Sequence, residues 1–491
     1  MKLAKLQLFS LILGIHTSCF AGVNEVFQRI KSDPNALYAF FKEMPKGGEL
    51  HYHLAGGAYP EAMLDVATKG DYCLNSDTLA MSKITEQCSG VKARDLAATP
   101  TLYNQTIRAW SMKDFVPGIE SGHDHFFSTF YKFISLVADN PVPLLAEVMQ
   151  RAASQHEQYM EIMVMPDNAR SADMAGVAIT SDTFAIQKQR LLHDEGFITE
   201  IEKTVASAEA LLPGARQYLG CDKSPGQDVC HLTVTFQYHV LREQPLEKVF
   251  SQVLHAFEVA SRSPAIVGVN LVQAEDGLIS LRDYRQQMQI FGFLHEAYPD
   301  VNITLHAGEL APGMVAPQDY RYHIHDAIKV AHAQRIGHGV DIAFEDNAEV
   351  LLKDMASNHI AVEINLISNQ KILNISGRRH PLRYYLAHNV PVVLSTDDEG
   401  VLRTDLTQQY VEAASQHGLD YPIIKQMNRN ALTYSFLPGK SLWEDANKSI
   451  PVSACRDLNS DQCLKFISHN EKAALQRTLE LKLDQFESGM R

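Results

Sequence analysis

Two alternating patterns constrain this chain most: short apolar runs and longer stretches of helical periodicity. The runs are GELHYHL, YMEIMVMP, HLTVTFQYHV, AIVGVNLV, NITLHAGE, RIGHGV, IAVEINLIS and VPVVLSTDD. Most are apolar throughout rather than alternating, as strands of a parallel sheet covered on both faces must be. Between them lie segments such as PLEKVFSQVLHAFEVASR and LISLRDYRQQMQIFGFLHEAYP, whose apolar residues recur at helical spacing. Eight such strands alternating with helices predict an α/β chain folded as a (β/α)8 TIM barrel. A doubly wound open sheet would need a phosphate-cradling glycine loop after the first strand. LAGGAYPE lacks the G-x-G-x-x-G spacing.

Several of these runs end on ionisable residues, at the face where barrel enzymes carry their active sites. The first run ends in His51 and His53, the fifth in His306 and Glu309, the sixth in His338 and the eighth in Asp397 and Asp398. The chain has 21 histidines, and His-x-His recurs at His123/His125 and His323/His325. In a strand, residues i and i+2 share a face, so His51 and His53 can converge on one ion. The other two pairs open an amphipathic stretch or lie in a helical one, where i and i+2 diverge, and read as structural.

Imidazole nitrogens plus one carboxylate suit Zn2+ with an open position for water, and His51, His53, His306 and Asp397 supply that set for one ion per chain. Such an ion brings the pKa of its water to about 7. Glu309 can deliver a proton to a nitrogen beside the metal. His338, bracketed by Gly337 and Gly339, is placed either to orient or deprotonate the attacking water or to be a fourth imidazole ligand. A two-metal amidohydrolase site generally needs a bridging carboxylate or carbamylated lysine on a middle strand, and VGVNLVQ offers no lysine.

MPKGGELHYHLAGG, LHAGE, RIGHGV, STDDEG and NALTYSF, in this order over residues 44–437, resemble the signature segments of the adenosine deaminase family. The resemblance implies a zinc hydrolase that converts adenosine or 2′-deoxyadenosine and water to the inosine product and ammonia. By match, His51, His53, His306 and Asp397 hold the zinc, and Glu309 protonates the purine ring nitrogen. His338 and Asp398 orient the attacking water, while His53, Gln273 and Asp398 contact the substrate. Two positions depart from the family pattern. Ala55 stands where a polar residue, often Asp, helps hold the ribose. Gln273, in NLVQAEDG, replaces a Gly whose backbone N–H meets the purine, while Glu275 keeps the acidic position that follows. The substrate is thus expected to be a small purine nucleoside. The alternatives are another aminopurine, such as adenine or a modified nucleoside, and a non-catalytic exported binding or signalling barrel.

Residues 1–21 read as a signal peptide: Lys2 and Lys5, the apolar LQLFSLILGI, and a small-residue site with cleavage between Ala21 and Gly22. The expected protein is exported, periplasmic or secreted, without membrane insertion, and residues 22–491 form one domain. Beyond Cys19, six cysteines fall into three local couples in polar, loop-like stretches, which suggests Cys73–Cys88, Cys221–Cys230 and Cys455–Cys463. The signal peptide and cysteines look more like the secreted deaminase-related growth factor branch than the cytosolic one. A formal charge of −14 argues against nucleic acid as a partner. Residues 71–117 and the tail beyond Leu437 are additions to a minimal barrel. The aromatic HDHFFSTFYKFISLV is a candidate lid and PNALYAFFKEMP a candidate homodimer contact.

Overall fold

A computed structural model describes residues 22–490. The expected signal peptide therefore lies outside the described residues. Eight parallel strands form the barrel: β1 (Glu49–His53), β2 (Tyr159–Val164), β3 (Thr233–Leu241), β4 (Ile266–Val272), β5 (Thr304–Ala307), β6 (Arg335–His338), β7 (Ala361–Ile364) and β8 (Val392–Leu394). They pair in sequence order as two four-stranded sheets, β1 to β4 and β5 to β8. Single bridges close the cylinder at Val269–Ile303 and Tyr52–Asp397. The second seam bears directly on function. His53 N–H donates to the Asp397 carbonyl at 3.1 Å, and Asp397 N–H donates to the His51 carbonyl at 3.2 Å. The first and last strands are thus stitched together at the residues singled out as ligands.

Helices Leu246–Arg262 and Leu278–Ala297 follow β3 and β4 and bury Phe250, Phe257, Met288 and Phe291. The barrel lumen is not the usual stack of branched aliphatic residues. Glu161, Gln237, Asn270, Thr304, Arg335 and Glu363, one each from β2 to β7, are buried there and joined to one another. Arg335 bridges Glu161 and Glu363, at 2.6 Å to each. A buried guanidinium flanked by two carboxylates and by uncharged donors leaves no charge in this layer without a partner.

The seventh run, IAVEINLIS, is strand only to Ile364, and Leu366–Leu373 is a helix. A short apolar run does not distinguish a buried strand from a buried helix, and here the chain turns at Asn365. The three cysteine couples are bonded as expected. Their setting differs from the loops expected: Cys73 lies in strand Tyr72–Leu74, Cys463 in helix Asp461–Ile467, and both are buried. Polar neighbours in sequence masked positions that face inward. Residues 71–117 form a small three-stranded antiparallel sheet followed by helix Pro100–Ala109.

The PNALYAFFKEMP segment is helix Pro34–Glu43, and its apolar face packs within the chain. Phe40 and Phe41 pack edge-on against Phe27, and Phe40 also meets Tyr421 and Phe486. The HDHFFSTFYKFISLV segment is helix Gly122–Asp139. It lies across the C-terminal end of the barrel, where His123 Nε2 meets Asp276 after β4 at 2.9 Å. Among the described residues, no helix is long and apolar enough to cross a membrane.

Candidate metal centre

β1 carries a bulge between Glu49 and Tyr52, and His51 within it and His53 just after it project the same way, ring centroids 5.5 Å apart. A Cβ at position 337 would collide with the His51 ring. Gly337 therefore makes room for His51 rather than freeing its own neighbour His338. The backbone at His338 and Asp397 is left-handed, φ 67° at both, a conformation that costs non-glycine residues energy and often marks functional sites.

His51, His53, His306 and Asp397 each offer one ligand atom, and these atoms lie within 4.8 Å of one another. His53 Nε2 sits 3.2 Å from His306 Nε2 and 3.2 Å from Asp397 Oδ1, and His51 Nε2 sits 3.4 Å from the same oxygen. The lumen residues decide which ring nitrogen faces inward. His51 Nδ1 donates to Glu363 Oε2 at 2.7 Å, and His306 Nδ1 donates to Asn270 Oδ1 at 2.9 Å. With Nδ1 protonated, the Nε2 lone pairs of both neutral rings point at the centre. Burial pushes His53 and His306 down and keeps them neutral, the form that binds metal. His51 is pushed up to about 10: burial opposes the charge, but Asp397 and Glu363 outweigh it. Those two carboxylates favour positive charge at that spot, which a proton or a metal cation can supply. The His51 Nε2 atom is buried without a hydrogen-bond partner. Lone pairs facing one another around a carboxylate, with that nitrogen unpartnered, fit a divalent cation.

Glu309 and His338 stand beside this set, with His338 Nδ1 3.7 Å from Glu309 Oε1 and Nε2 4.0 Å from Asp397 Oδ2. Burial, reinforced by Asp397, pushes Glu309 up to about 8, so its carboxyl keeps a proton at neutral pH. The same causes raise Asp398 well above the usual carboxylate range. His338 belongs to a relay that the sequence did not suggest. Leu382 N–H donates to His380 Nδ1, His380 Nε2–H to Asn369 Oδ1, and Asn369 Nδ2–H to His338 Nδ1. The relay leaves the proton of the neutral His338 ring on Nε2, facing the site. Of the roles open from sequence, orienting a water fits this tautomer. A fourth ligand or a base acting through Nε2 does not.

Gln273 adopts φ 85°, where glycine is usual, and its side chain turns away to accept from Glu243 N–H at 2.8 Å. Glu275 accepts from Gly308 N–H and Glu309 N–H at 2.9 and 2.7 Å and holds the loop that bears Glu309. His323, expected to be merely structural, backs that carboxylate through Nδ1 at 2.5 Å and stacks on Tyr284. Ser368 Oγ donates to Asp397 Oδ2 at 2.7 Å. The residues that sequence reading missed are thus Glu363, Asn270, Asn369, His380, Ser368 and His323. A polar residue inside a buried apolar strand, as in AVEI and IVGVNLV, was the available signal for the first two.

The adenosine deaminase family model matches residues 117–444, which takes in β2 to β8 and leaves His51 and His53 before its start. The adenosine deaminase of Klebsiella pneumoniae is 39% identical over 137 residues, 28% of this chain and 38% of that protein. That of Escherichia coli is 37% identical over 139 residues, again 28% of this chain and 38% of the protein. The chain thus spans well under two thirds of the length of these curated relatives. An adenine deaminase from Arthrobacter aurescens has a similar fold, with a TM-score of 0.52, 16% identity, and coverage of 86% of this chain and 99% of that one. A zinc-bound amidohydrolase from Burkhoderia ambifaria gives 0.53, 15% identity, and coverage of 92% and 94%. Because the family model matches more than half of this chain, on the barrel that carries the site, the chain belongs to the adenosine deaminase family.

Proposed function

We propose that this protein is a zinc-dependent deaminase of adenosine or 2′-deoxyadenosine, giving the corresponding inosine and ammonia. The observation that carries the reading is the buried Glu309 carboxyl beside three converging imidazoles and Asp397. His51, His53, His306 and Asp397 would hold the ion. Zinc, when bound there, supplies Lewis-acid chemistry and makes water acidic enough to react at neutral pH. Glu309 donates its carboxyl proton to the purine ring nitrogen and draws electron density from the carbon that bears the amine. His338, with its proton on Nε2, and Asp398 orient the attacking water. Glu275 and His323 hold the Glu309 loop in register. Purified zinc-loaded protein should lower the adenosine absorbance band, and chelation or Glu309→Gln should stop the change. Adenosine left untouched at high enzyme concentration refutes this substrate.

A second reading, the same chemistry on another aminopurine, is favoured by Ala55, which removes a polar partner beside the ligand pair. We also propose export to a periplasm or the exterior, with residues 1–21 as the cleaved signal peptide. Disulfides throughout residues 22–490 support that reading, since such bonds persist in oxidising compartments. A mass spectrum of the exported protein should begin at Gly22, and an intact Met1 terminus refutes cleavage.

A further inference from the structure

A cavity of about 270 Å3 adjoins the metal centre on the β2 and β3 side, between Ala55, Met163, Met165 and His239 on one wall and Val137 of the crossing helix on the other. No carboxylate, ammonium or guanidinium group is among its lining residues. Its one ionisable side chain is His239, whose ring centroid is 6.0 Å from that of the ligand His53. His239 is only 8% exposed, and its Nδ1 atom has no hydrogen-bond partner. A buried polar atom left unmet is costly, so this nitrogen is a natural place for one ligand atom.

This inference rests on the deaminase reading. That reading places the amine-bearing edge of the purine between the metal set and Glu309, which follows β5. The cavity lies on the other side of His53, at the ends of β2 and β3. The group that reaches it is therefore the one carried on the other ring, the sugar. A ribose end bristling with hydroxyls would meet mainly apolar walls, on which His239, Ser135, Asn168 and Ser207 are the polar residues. An apolar 5′ substituent would instead meet two thioethers and Val137, with its remaining polar atom near His239.

We propose that the preferred substrate is a 6-aminopurine nucleoside whose 5′ position carries an apolar group, hydrogen or alkylthio in place of hydroxyl, seated in the cavity between His239 and helix Gly122–Asp139. Two positions then set specificity. Ala55 leaves the wall without charge, and Val137 leaves it with depth.

The test is kcat/KM of the zinc-loaded protein on adenosine, 5′-deoxyadenosine and a 5′-alkylthio-5′-deoxyadenosine. The alkylthio nucleoside should exceed adenosine by about tenfold or more, as filling or leaving empty an apolar pocket does elsewhere. Ala55→Asp should shift the ratio towards adenosine by a similar factor, and Val137→Phe, which fills the cavity, should remove the alkylthio preference. Either variant suffices if the other does not fold. Adenosine equal to or better than the alkylthio nucleoside on the parent protein overturns this inference and leaves the deaminase reading standing. Activity on none of the three overturns both.

Discussion

Exchanging Glu363 for Gln tests whether the lumen, and not only the ligands, makes the metal centre. Glu363 is fully buried, accepts from His51 Nδ1 at 2.7 Å with one oxygen, and accepts from Arg335 Nε and Thr304 Oγ1 at 2.6 and 2.9 Å with the other. It is one of two carboxylates that favour positive charge at His51. Gln keeps the shape and an acceptor but removes the charge, so the ring is held less firmly and a cation gains less. Losing such a partner of a ligating histidine typically costs about 10–100-fold in metal affinity, or about 1.4–2.8 kcal/mol. Stability should also fall. Breaking a buried ion pair outright costs about 3–5 kcal/mol, and Arg335 retains Glu161, so the loss should sit at or below the low end of that range. Zinc titration in competition with a chromophoric chelator reads the first effect, and denaturant unfolding of the metal-free protein reads the second. A folded Glu363→Gln protein that takes zinc as tightly as the parent refutes the argument that the lumen tunes the site.

Glu309→Gln should keep its zinc and lose at least about 100-fold in kcat, because the amide cannot supply the proton; parental kcat with full metal content would contradict this role. Asn369→Leu, which frees the His338 tautomer, should lower activity about 10–100-fold with zinc content unchanged, and an unaltered kcat would show the relay to be idle. Protection of helix Gly122–Asp139 from hydrogen exchange should depend on pH through the His123–Asp276 pair. His123 is pushed up to about 9, burial opposing the charge and Asp276 outweighing it, so its contribution is complete below pH 6.5 and lost as pH rises through about 9. His123→Phe should flatten that dependence once intrinsic exchange is divided out, and a profile identical to the parent would assign the pH effect elsewhere. Replacing Cys73 and Cys88 by serine opens a 15-residue loop and should cost about 3 kcal/mol, read from the shift in unfolding midpoint; no shift would mean the small sheet of residues 71–117 holds without the bond.

The sequence by itself determined the barrel and its candidate ligands, because both are written locally. Buried parallel strands must be apolar along their whole length, and a polar residue at the end of such a run stands out. That is why His51, His53, His306, Glu309, His338, Asp397 and Asp398 were legible. The cysteine couples followed from their short spacing. What joins the ligands was not legible, because it runs between strands far apart in the chain. Glu363 reaches His51 across 312 residues and Arg335 reaches Glu161 across 174. His323 resembled any helical histidine until the fold set it behind Glu275. Where the Gln273 side chain goes was settled only by the fold, which turns it to accept from Glu243 N–H. Only the closed barrel decided which nitrogen of each ring faces inward, since a hydrogen-bond partner fixes a tautomer and tertiary structure alone supplies the partner.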